Sequence, residues 1–536
     1  MKTIKFKNKF TKARYSLKKS FCIHLSNWLL ESAAKLPKFQ GGIVANLQKI
    51  DEHRKKDVFS VSKPDGVDLE FLHLWILETF LIGELDELRH GLQNLFGDFS
   101  KTRYIIPPKA EREDIDEVFK RIGKSLLGLS LHRIGFIDVL GNKEKVKGKR
   151  NWIENFNVSV HHFSPSFVAV SFGVEPTTAF KKIIHDVLSE DVPGRVEFKL
   201  PKSLKQLKLW FTFPSYSQLF STHVKRELIE NLMLEFKFEA IEIIKQYLKG
   251  IFIRSGFQIP SIELYLEQSS ISQKAEPNQS EAEKKSQLFW DSIGMNKRDL
   301  GYFRSEQNDI GIFLPYWHSK DLIDKPFKIL VDKAKVVENQ KGTNDIYHKI
   351  IHEKEYYIEA LTPILIIQEL LQCILRENVS MIKLLLNRVS IKAAFFKRHT
   401  FKKLILLKQK TNGLYLLFKR IKLEFKADWI KIRAKNSGLP ILVNNRNIVK
   451  QSNESDFLTS VIEQVKYEIE LAQENLEFIN TAVNELLQAE TIESNYKVQR
   501  GMFWLTIVMI LLAVITALPE KMREEAFSYL YKLFIK

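Results

Sequence analysis

A block of positive charge between residues 383 and 435 holds the side chains of this chain that are best suited to bind an anion. The block contains sixteen Lys or Arg residues against two acids, Glu424 and Asp428, and Phe and Tyr residues lie between the cations. Cations neutralise phosphate groups, and aromatic rings stack on bases. We therefore take six of these cations as candidate anion-binding residues: Lys397, Arg398, Lys402, Lys403, Lys419 and Arg420.

The charge pattern leaves four interpretations of this block open. It can bind a nucleic acid, hold a small anionic nucleotide, or face anionic lipid, where each cation contributes about 1 kcal/mol near the surface. It can also be a solvated surface that balances the ten acids of residues 451 to 500. The expected partners are the lipid bilayer and a small anionic nucleotide, with a nucleic acid ranked below them.

The residues whose spacing comes closest to a metal site are His348 and His352. They lie four positions apart, so both imidazoles share one face of a helix. The motif HExxH is absent, and the residues around the pair are charged, as on a solvated helix surface. The sequence also lacks the phosphate-binding pattern GxxxxGK[ST] and the nucleophile pattern GxSxG. We therefore predict no catalytic residue, no metal site and no cofactor.

An uncharged segment, residues 502 to 518, is the strongest structural signal in the chain. Its seventeen residues (MFWLTIVMILLAVITAL) make a helix of roughly 26 Å, close to the hydrocarbon thickness of about 30 Å. Residues 519 to 536 follow it, and we expect them to form a short amphipathic tail. The excess of Lys and Arg before the span predicts a single-pass membrane protein whose N-terminal body is cytoplasmic.

Apolar residues at heptad spacing lead into this segment. They alternate between steps of four and three: Leu458, Ile462, Val465, Ile469, Ala472, Leu476, Ile479, Val483 and Leu486. The same phase continues inside the segment at the predicted pore-facing residues Trp504, Ile507, Leu511, Val514 and Leu518. Strict heptads favour a coiled-coil stalk between copies of the chain. The alternative is an amphipathic helix that packs on its own domain.

The remaining sequence predicts an α+β cytosolic body whose C-terminal half is rich in helix. The expected segments are an N-terminal α+β domain (1–267), a flexible polar linker (268–287), a helix-rich domain with the basic block (288–450), an acidic coiled-coil stalk (451–500), a transmembrane helix (502–518) and the amphipathic tail (519–536). The linker is predicted because a stretch rich in Ser, Gln, Glu and Lys buries too little apolar area to fold. It either divides two domains or is a long loop within one domain. The stalk and the span are expected to form one continuous helix.

Local patterns predict several elements inside these segments. Residues 67 to 97 are rich in apolar side chains and predict a long, largely buried helix. Alternating or β-branched runs predict strands at 156–162, 166–174 and 262–267. Thr177 or Thr178 is the expected N-cap of a helix, and Thr362-Pro363 is the expected start of another.

A body followed by a long stalk helix that runs into a C-terminal span resembles the CorA-like cation channel family. The resemblance is one of architecture and covers residues 457 to 518. It implies a homo-oligomer whose stalk helices and spans surround a pore, and some members of the family are CRISPR-associated effectors of antiviral defence that answer nucleotide signals. Ala517-Leu518-Pro519-Glu520 stands where the family has Gly-Met-Asn, so no functional residue of the family is assigned to this chain.

Together these patterns predict a membrane-embedded homo-oligomeric effector or channel-like protein. Its cytosolic body would sense a ligand, with an anionic nucleotide as the expected class, and would act on the membrane through the stalk helix. The alternative is a tail-anchored protein that binds a partner or a nucleic acid and uses the span only for localisation.

Overall fold

The computed structural model describes residues 28, 30–33, 35, 44, 47–48, 51–52, 61, 63–64, 67–99, 115–124, 130–142, 150–192, 194–198, 216–269, 281–295, 301–305, 310–314, 326–334, 346–390, 399–444, 456–517 and 522. The strands in these ranges are β1 (Val67–Leu81), β2 (Ser130–Asp138), β3 (Ile153–His162), β4 (Phe167–Pro176), β5 (Arg195–Phe198), β6 (Tyr216–Leu219), β7 (Ser261–Ser269), β8 (Tyr302–Ser305), β9 (Ile310–Phe313), β10 (Phe327–Asp332) and β11 (Leu442–Asn444). The helices are α1 (Leu85–Asp98), α2 (Ile115–Lys124), α3 (Thr178–Ser189), α4 (Ser221–Ile244), α5 (Ile251–Ser255), α6 (Glu281–Ser292), α7 (Ile346–Ser390), α8 (His399–Glu424), α9 (Ala427–Asn436) and α10 (Phe457–Ala517).

Nine of the described strands form one mixed sheet, in the order β11-β8-β9-β10-β7-β1-β4-β3-β2. Neighbouring strands run antiparallel except β7 and β10, which are parallel. β5 and β6 pair separately. The predicted α+β class is therefore confirmed, and the C-terminal half is rich in helix as expected.

The long central strand β1 stands where a long buried helix is predicted. Residues 67 to 81 form a strand of 15 residues, and the helical part begins only with a short 3-10 turn and α1. Because both faces of β1 are covered, apolar residues occupy successive positions and the two-residue alternation of a half-buried strand disappears. The strands predicted at 156–162, 166–174 and 262–267 are confirmed as β3, β4 and β7.

One face of the sheet packs on α3 and α4 through aromatic rings. The ring centroid of Phe71 on β1 lies 5.8 Å from that of Phe236 on α4 and 6.1 Å from that of Phe180 on α3. Phe180 and Phe236 stack at 4.5 Å. Thr177 is the N-cap of α3, as predicted, because its hydroxyl accepts a hydrogen bond from the backbone N–H of Phe180.

Glu78 is a buried carboxylate on β1 that sits at the start of α5. It accepts hydrogen bonds from the backbone N–H groups of Thr79, Phe252 and Ile253. Burial raises the pKa of Glu78 to about 7, although these hydrogen bonds and the nearby Arg254 act in the opposite direction. The folded protein therefore holds a proton on Glu78 at pH values where the unfolded chain has released it.

We expect Glu78→Gln to change how stability depends on pH. Since the folded-state pKa is raised from 4.5 to about 7, the wild type loses stability as pH rises through this interval. The variant does not ionise, so it should gain roughly 2 to 3 kcal/mol relative to the wild type over the same interval. Urea unfolding of both proteins at pH 4.5 and at pH 7.5 measures the change, and a difference that is the same at both pH values would contradict it.

The chain divides into two compact units whose limits differ from those of the predicted domains. The first unit comprises residues 1–369 and 426–464, and the second comprises residues 370–425 and 465–536. The strands β8, β9 and β10 follow the predicted linker, yet they belong to the same sheet as β7. The linker expected over 268–287 is strand at its first two residues and helix from Glu281 onward. The polar stretch therefore lies between two strands of one sheet, as the alternative of a long loop within one domain expects.

The long helix α7 runs through the position at which a helix is predicted to begin. It has 45 residues and contains Pro363. The hydroxyl of Thr362 donates to the carbonyl of Ile358 at 2.7 Å, so Thr362 lies inside the helix and does not cap it. Residues 353 to 385 of α7 are apolar enough to cross a membrane, but most of that stretch is buried within the fold. This part of α7 is therefore a core helix.

Candidate functional site

The face of the sheet opposite the aromatic core carries buried polar side chains. Asn157, Ser159 and His161 occupy alternate positions of β3, and Ser171 of β4 pairs directly with Ser159. Residues of β2, α7 and α9 complete this group, which we call the sheet-face polar layer: Arg133, Asn157, Ser159, His161, Ser171, Glu355, Glu359 and Arg433. Ser159, His161, Ser171 and Glu355 are buried.

Glu355 of α7 is the centre of this layer. Its carboxylate accepts hydrogen bonds from the hydroxyl of Ser159 at 2.9 Å and from the amide of Asn157 at 3.4 Å. It also forms an ion pair with Arg133 at 3.1 Å. The guanidinium of Arg133 lies over the ring of Tyr356, 5.3 Å from its centroid. One carboxylate thus attaches α7 to both β2 and β3.

A second ion pair joins α9 to α7. Nη2 of Arg433 lies 3.3 Å from a carboxylate oxygen of Glu359, and the guanidinium is buried. Burial lowers the pKa of Arg433, and the Glu359 carboxylate raises it. A buried cation next to a carboxylate is stable only while both partners remain in place. The pair therefore fixes α9 against α7 within the first unit.

His161 and Ser171 are the members of the layer that most resemble a base and a nucleophile. Nε2 of His161 lies 3.0 Å from Oγ of Ser171. Burial, together with the nearby Arg433 and His132, lowers the pKa of His161 to about 3. A base with such a pKa removes a serine proton poorly at neutral pH. The layer is therefore suited to holding α7 and α9 on the sheet, and nucleophilic catalysis by this pair is disfavoured.

The sequence points to three of these residues without joining them in one site: Glu355 and Glu359 follow the His348–His352 pair on a predicted helix, and His161 precedes His162 in a predicted strand. Polar residues at 157, 159 and 161 alternate with apolar residues at 156, 158 and 160, which marks a strand with two different faces. His161 and His162 are predicted to point to opposite faces, and they pair with successive residues of β4. Glu355 lies 196 positions after Ser159, so only the fold brings the two together.

The predicted sites are only partly inside the described residues. Lys397, Arg398 and Leu518 lie outside them, and so do the side chains of Lys402, Lys403, His348 and His352. Among the described residues, no group of three or more His, Cys, Asp or Glu side chains is placed to hold a metal ion. Lys419 and Arg420 are described, and both are exposed on α8.

The described part of the basic block contacts the chain's own helices. On α8, Lys408 donates to Asn484 of α10 at 2.8 Å, and Lys422 donates to Gln473 of α10 at 2.6 Å. Lys410 pairs with Glu377 of α7 at 2.5 Å. These contacts join α8 to the second half of α7 and to α10, and we call the three the helical bundle. Three cations of the block therefore bond to neighbouring helices of the same chain; two of their partners are neutral amides, and only Glu377 is an acid.

The heptad seam of α10 is covered within a single chain. Ile462, Val465, Ile469, Ala472, Leu476, Ile479 and Val483 are buried, while Leu458 and Leu486 are half-buried. Beside the seam, the buried Glu468 accepts a hydrogen bond at 2.6 Å from Gln372 of α7. This burial is what the alternative interpretation, an amphipathic helix packed on its own domain, expects. A contact between stalks through the same residues would require the bundle to open.

From Met502 to Ala517, α10 is apolar and mostly exposed. The helix of 61 residues continues without a break to Ala517. Among the predicted pore-facing residues, Trp504, Leu511 and Val514 are exposed and Ile507 is half-buried. The hydroxyl of Thr506 donates to the carbonyl of Met502, so the helix satisfies this polar group internally. The C-terminal helix is thus long and apolar enough to cross a membrane.

Comparison of the chain with protein-family models, with curated proteins and with solved structures finds no match. Function is therefore inferred from the fold, the burial and the charge of the chain itself. The resemblance to the CorA-like family and the nucleotide ligand stay predictions.

Proposed function

We propose that this protein is a membrane-anchored homo-oligomeric effector whose α+β body receives a signal and acts on the bilayer through α10. The observation that carries the proposal is the continuity of α10. It begins at Phe457, buries its heptad face in the bundle as far as Val483, and continues through a polar stretch. From Met502 to Ala517 it then presents mostly exposed apolar side chains. At 1.5 Å per residue, its 61 residues make a rod of about 90 Å.

Two helices support transmission along the chain. α7 begins in the first compact unit and ends in the second, and α10 does the same. In the first unit α7 is fixed to the sheet through Glu355, and in the second it is hydrogen-bonded to α10 through Gln372. α7, which contains Pro363, is therefore the covalent connection along which a change at the sheet-face polar layer would travel toward the second unit.

Two faces of the span are expected to differ in their surroundings if the spans surround a pore. Leu511 continues the heptad phase, and Met509 lies at nearly the same depth about 160° away around the helix. If the spans surround a pore, Leu511 faces an apolar constriction that opens by wetting. A polar residue on that face should lower the barrier to water and ions, and the same residue at Met509 should face lipid.

We expect Leu511→Asn to raise the leak of reconstituted liposomes about tenfold over the wild type, because it hydrates the constriction. Met509→Asn is the matched control and should leave the leak at the wild-type level. Release of a small fluorescent dye, normalised to the protein inserted, measures the effect. Equal leak for wild type and both variants would contradict action through a pore. A monomer or dimer in detergent would favour the tail-anchored alternative.

A further inference from the structure

We propose that neighbouring copies of the protein meet through the outer face of α8 on one copy and the outer face of α10 on the next. This proposal rests on the homo-oligomeric function proposed above. Because the heptad seam is covered inside the chain, the contact needs another surface of the bundle. The bundle offers large apolar side chains that are more than half exposed: Leu406, Leu416 and Leu423 on α8, and Tyr467 and Phe478 on α10.

The apolar residues of the two faces lie at matching heights. Lys408 is opposite Asn484 and Lys422 is opposite Gln473, so α8 runs antiparallel to α10. Counting from these two bonds, Leu416 is level with about residues 476 to 479 of α10, a stretch that includes Phe478. Leu416 is 64% exposed and Phe478 is 53% exposed. Copies anchored in one bilayer stand at the same height, so Leu416 of one copy can reach Phe478 of its neighbour.

The charges of the two faces are complementary. Lys419 and Arg420 are exposed on α8, and Arg420 is level with about residues 472 to 475 of α10. Glu470, Glu474 and Glu477 are exposed on α10 around this height. A basic face next to an acidic face favours their contact, whereas two basic or two acidic faces repel each other. Each face therefore selects the other and not itself.

This complementarity identifies the occupant as a second copy of the chain. A face that binds a different face of the same molecule makes a head-to-tail contact, which closes into a ring when the rotation between copies permits it. The bilayer holds all copies parallel and at one level, so each copy can use both faces at once. The ring uses the basic face of α8 for protein contact, and it leaves that face unavailable to lipid or nucleic acid.

Cysteine crosslinking of the full chain tests the contact. In a Cys22→Ser, Cys373→Ala background whose oligomer size matches the wild type, we introduce Leu416→Cys, Phe478→Cys, or both. Under mild oxidation in lipid nanodiscs, the double variant should give a ladder of covalent multimers beyond the dimer. Each single variant should remain monomeric on a denaturing gel, because neither face meets itself.

Three results would overturn the contact. A dimer from either single variant would show that a face meets its own copy, and no crosslink from the double variant would show that the faces do not meet. Protection of the double variant by anionic lipid or by single-stranded RNA would show that the α8 face binds that partner instead. The oligomer size of the same variants in detergent, measured before oxidation, separates all three results from a failure of the proposed function, which would leave a monomer or a dimer.

Charge reversal provides a second measurement that does not depend on one disulfide geometry. Arg420→Glu and Glu474→Arg should each lower the crosslink yield of the double-cysteine protein about tenfold, because each places like charges together. The combined reversal should restore the yield, since it recreates an opposite-charge pair. A yield that stays low in the combined variant, with a normal fold, would contradict the pairing of these two faces.

Discussion

Ile510→Arg is expected to release the protein from membranes. Position 510 is near the middle of the apolar segment, where isoleucine favours insertion by about 0.3 to 0.6 kcal/mol and arginine opposes it by about 2.5 to 3.5 kcal/mol. The exchange therefore costs about 3 to 4 kcal/mol, which lowers the inserted fraction by a factor of roughly a hundred to a thousand. Ile510 is 58% exposed, so the exchange removes little packing from the fold.

Val498→Arg is the matched control for this exchange. Val498 is also exposed on α10, but it precedes the apolar segment, so an arginine there meets water or lipid headgroups. Both variants are compared with the wild type by the fraction that stays in the membrane pellet after alkaline extraction. We expect Val498→Arg to stay in the pellet and Ile510→Arg to move to the supernatant. If Ile510→Arg stays in the pellet with the wild type, the segment does not anchor the protein.

The heptad pattern of α10 shows what the sequence can predict about burial and what it cannot. The positions of the seam predict correctly which face of the helix is buried, because a period of three and four residues keeps one face inward over many turns. The pattern does not say which partner covers that face. A helix that packs on neighbouring copies and a helix that packs on the same chain require the same spacing. In this chain Gln372 of α7 and Lys408 of α8 donate hydrogen bonds to α10, so these helices join α10 in the bundle.

The sheet-face polar layer is harder to predict from the sequence than the buried face of α10, because its members come from distant parts of the chain. Arg133, Ser159 and Glu355 lie on β2, β3 and α7, and none of the three carries a local motif. The error at β1 has a related cause: a strand that is covered on both faces reads as a continuous apolar run, and so does a buried helix. The length of the apolar stretch is typical of a helix. The pairing of β1 with β4 and β7 shows that its first 15 residues form a strand.

Glu355→Ala is expected to destabilise the first unit by about 3 kcal/mol or more, because removing one partner of a buried ion pair costs about 3 to 5 kcal/mol. The side chains of Arg133 and Glu355 are 21% and 5% exposed, so Arg133 keeps some contact with water and the lower end of the range applies. The exchange also removes the acceptor for Ser159 and Asn157. Unfolding of the detergent-solubilised protein in urea measures the loss, and Glu463→Ala, an exposed acid on α10, should change stability by less than about 0.5 kcal/mol.

Combining Glu355→Ala with Arg133→Ala separates the ion pair from the packing around it. Arg133→Ala leaves a nearly buried carboxylate that keeps only the hydrogen bonds from Ser159 and Asn157, so it should cost at least as much as Glu355→Ala. The double variant leaves neither charge buried, so its loss should fall short of the sum of the single losses by about 1 to 3 kcal/mol. Such a shortfall identifies the pair as the link that holds α7 on the sheet. Additive losses would instead mean that Arg133 and Glu355 act independently, and α7 would then be held on the sheet by its apolar contacts.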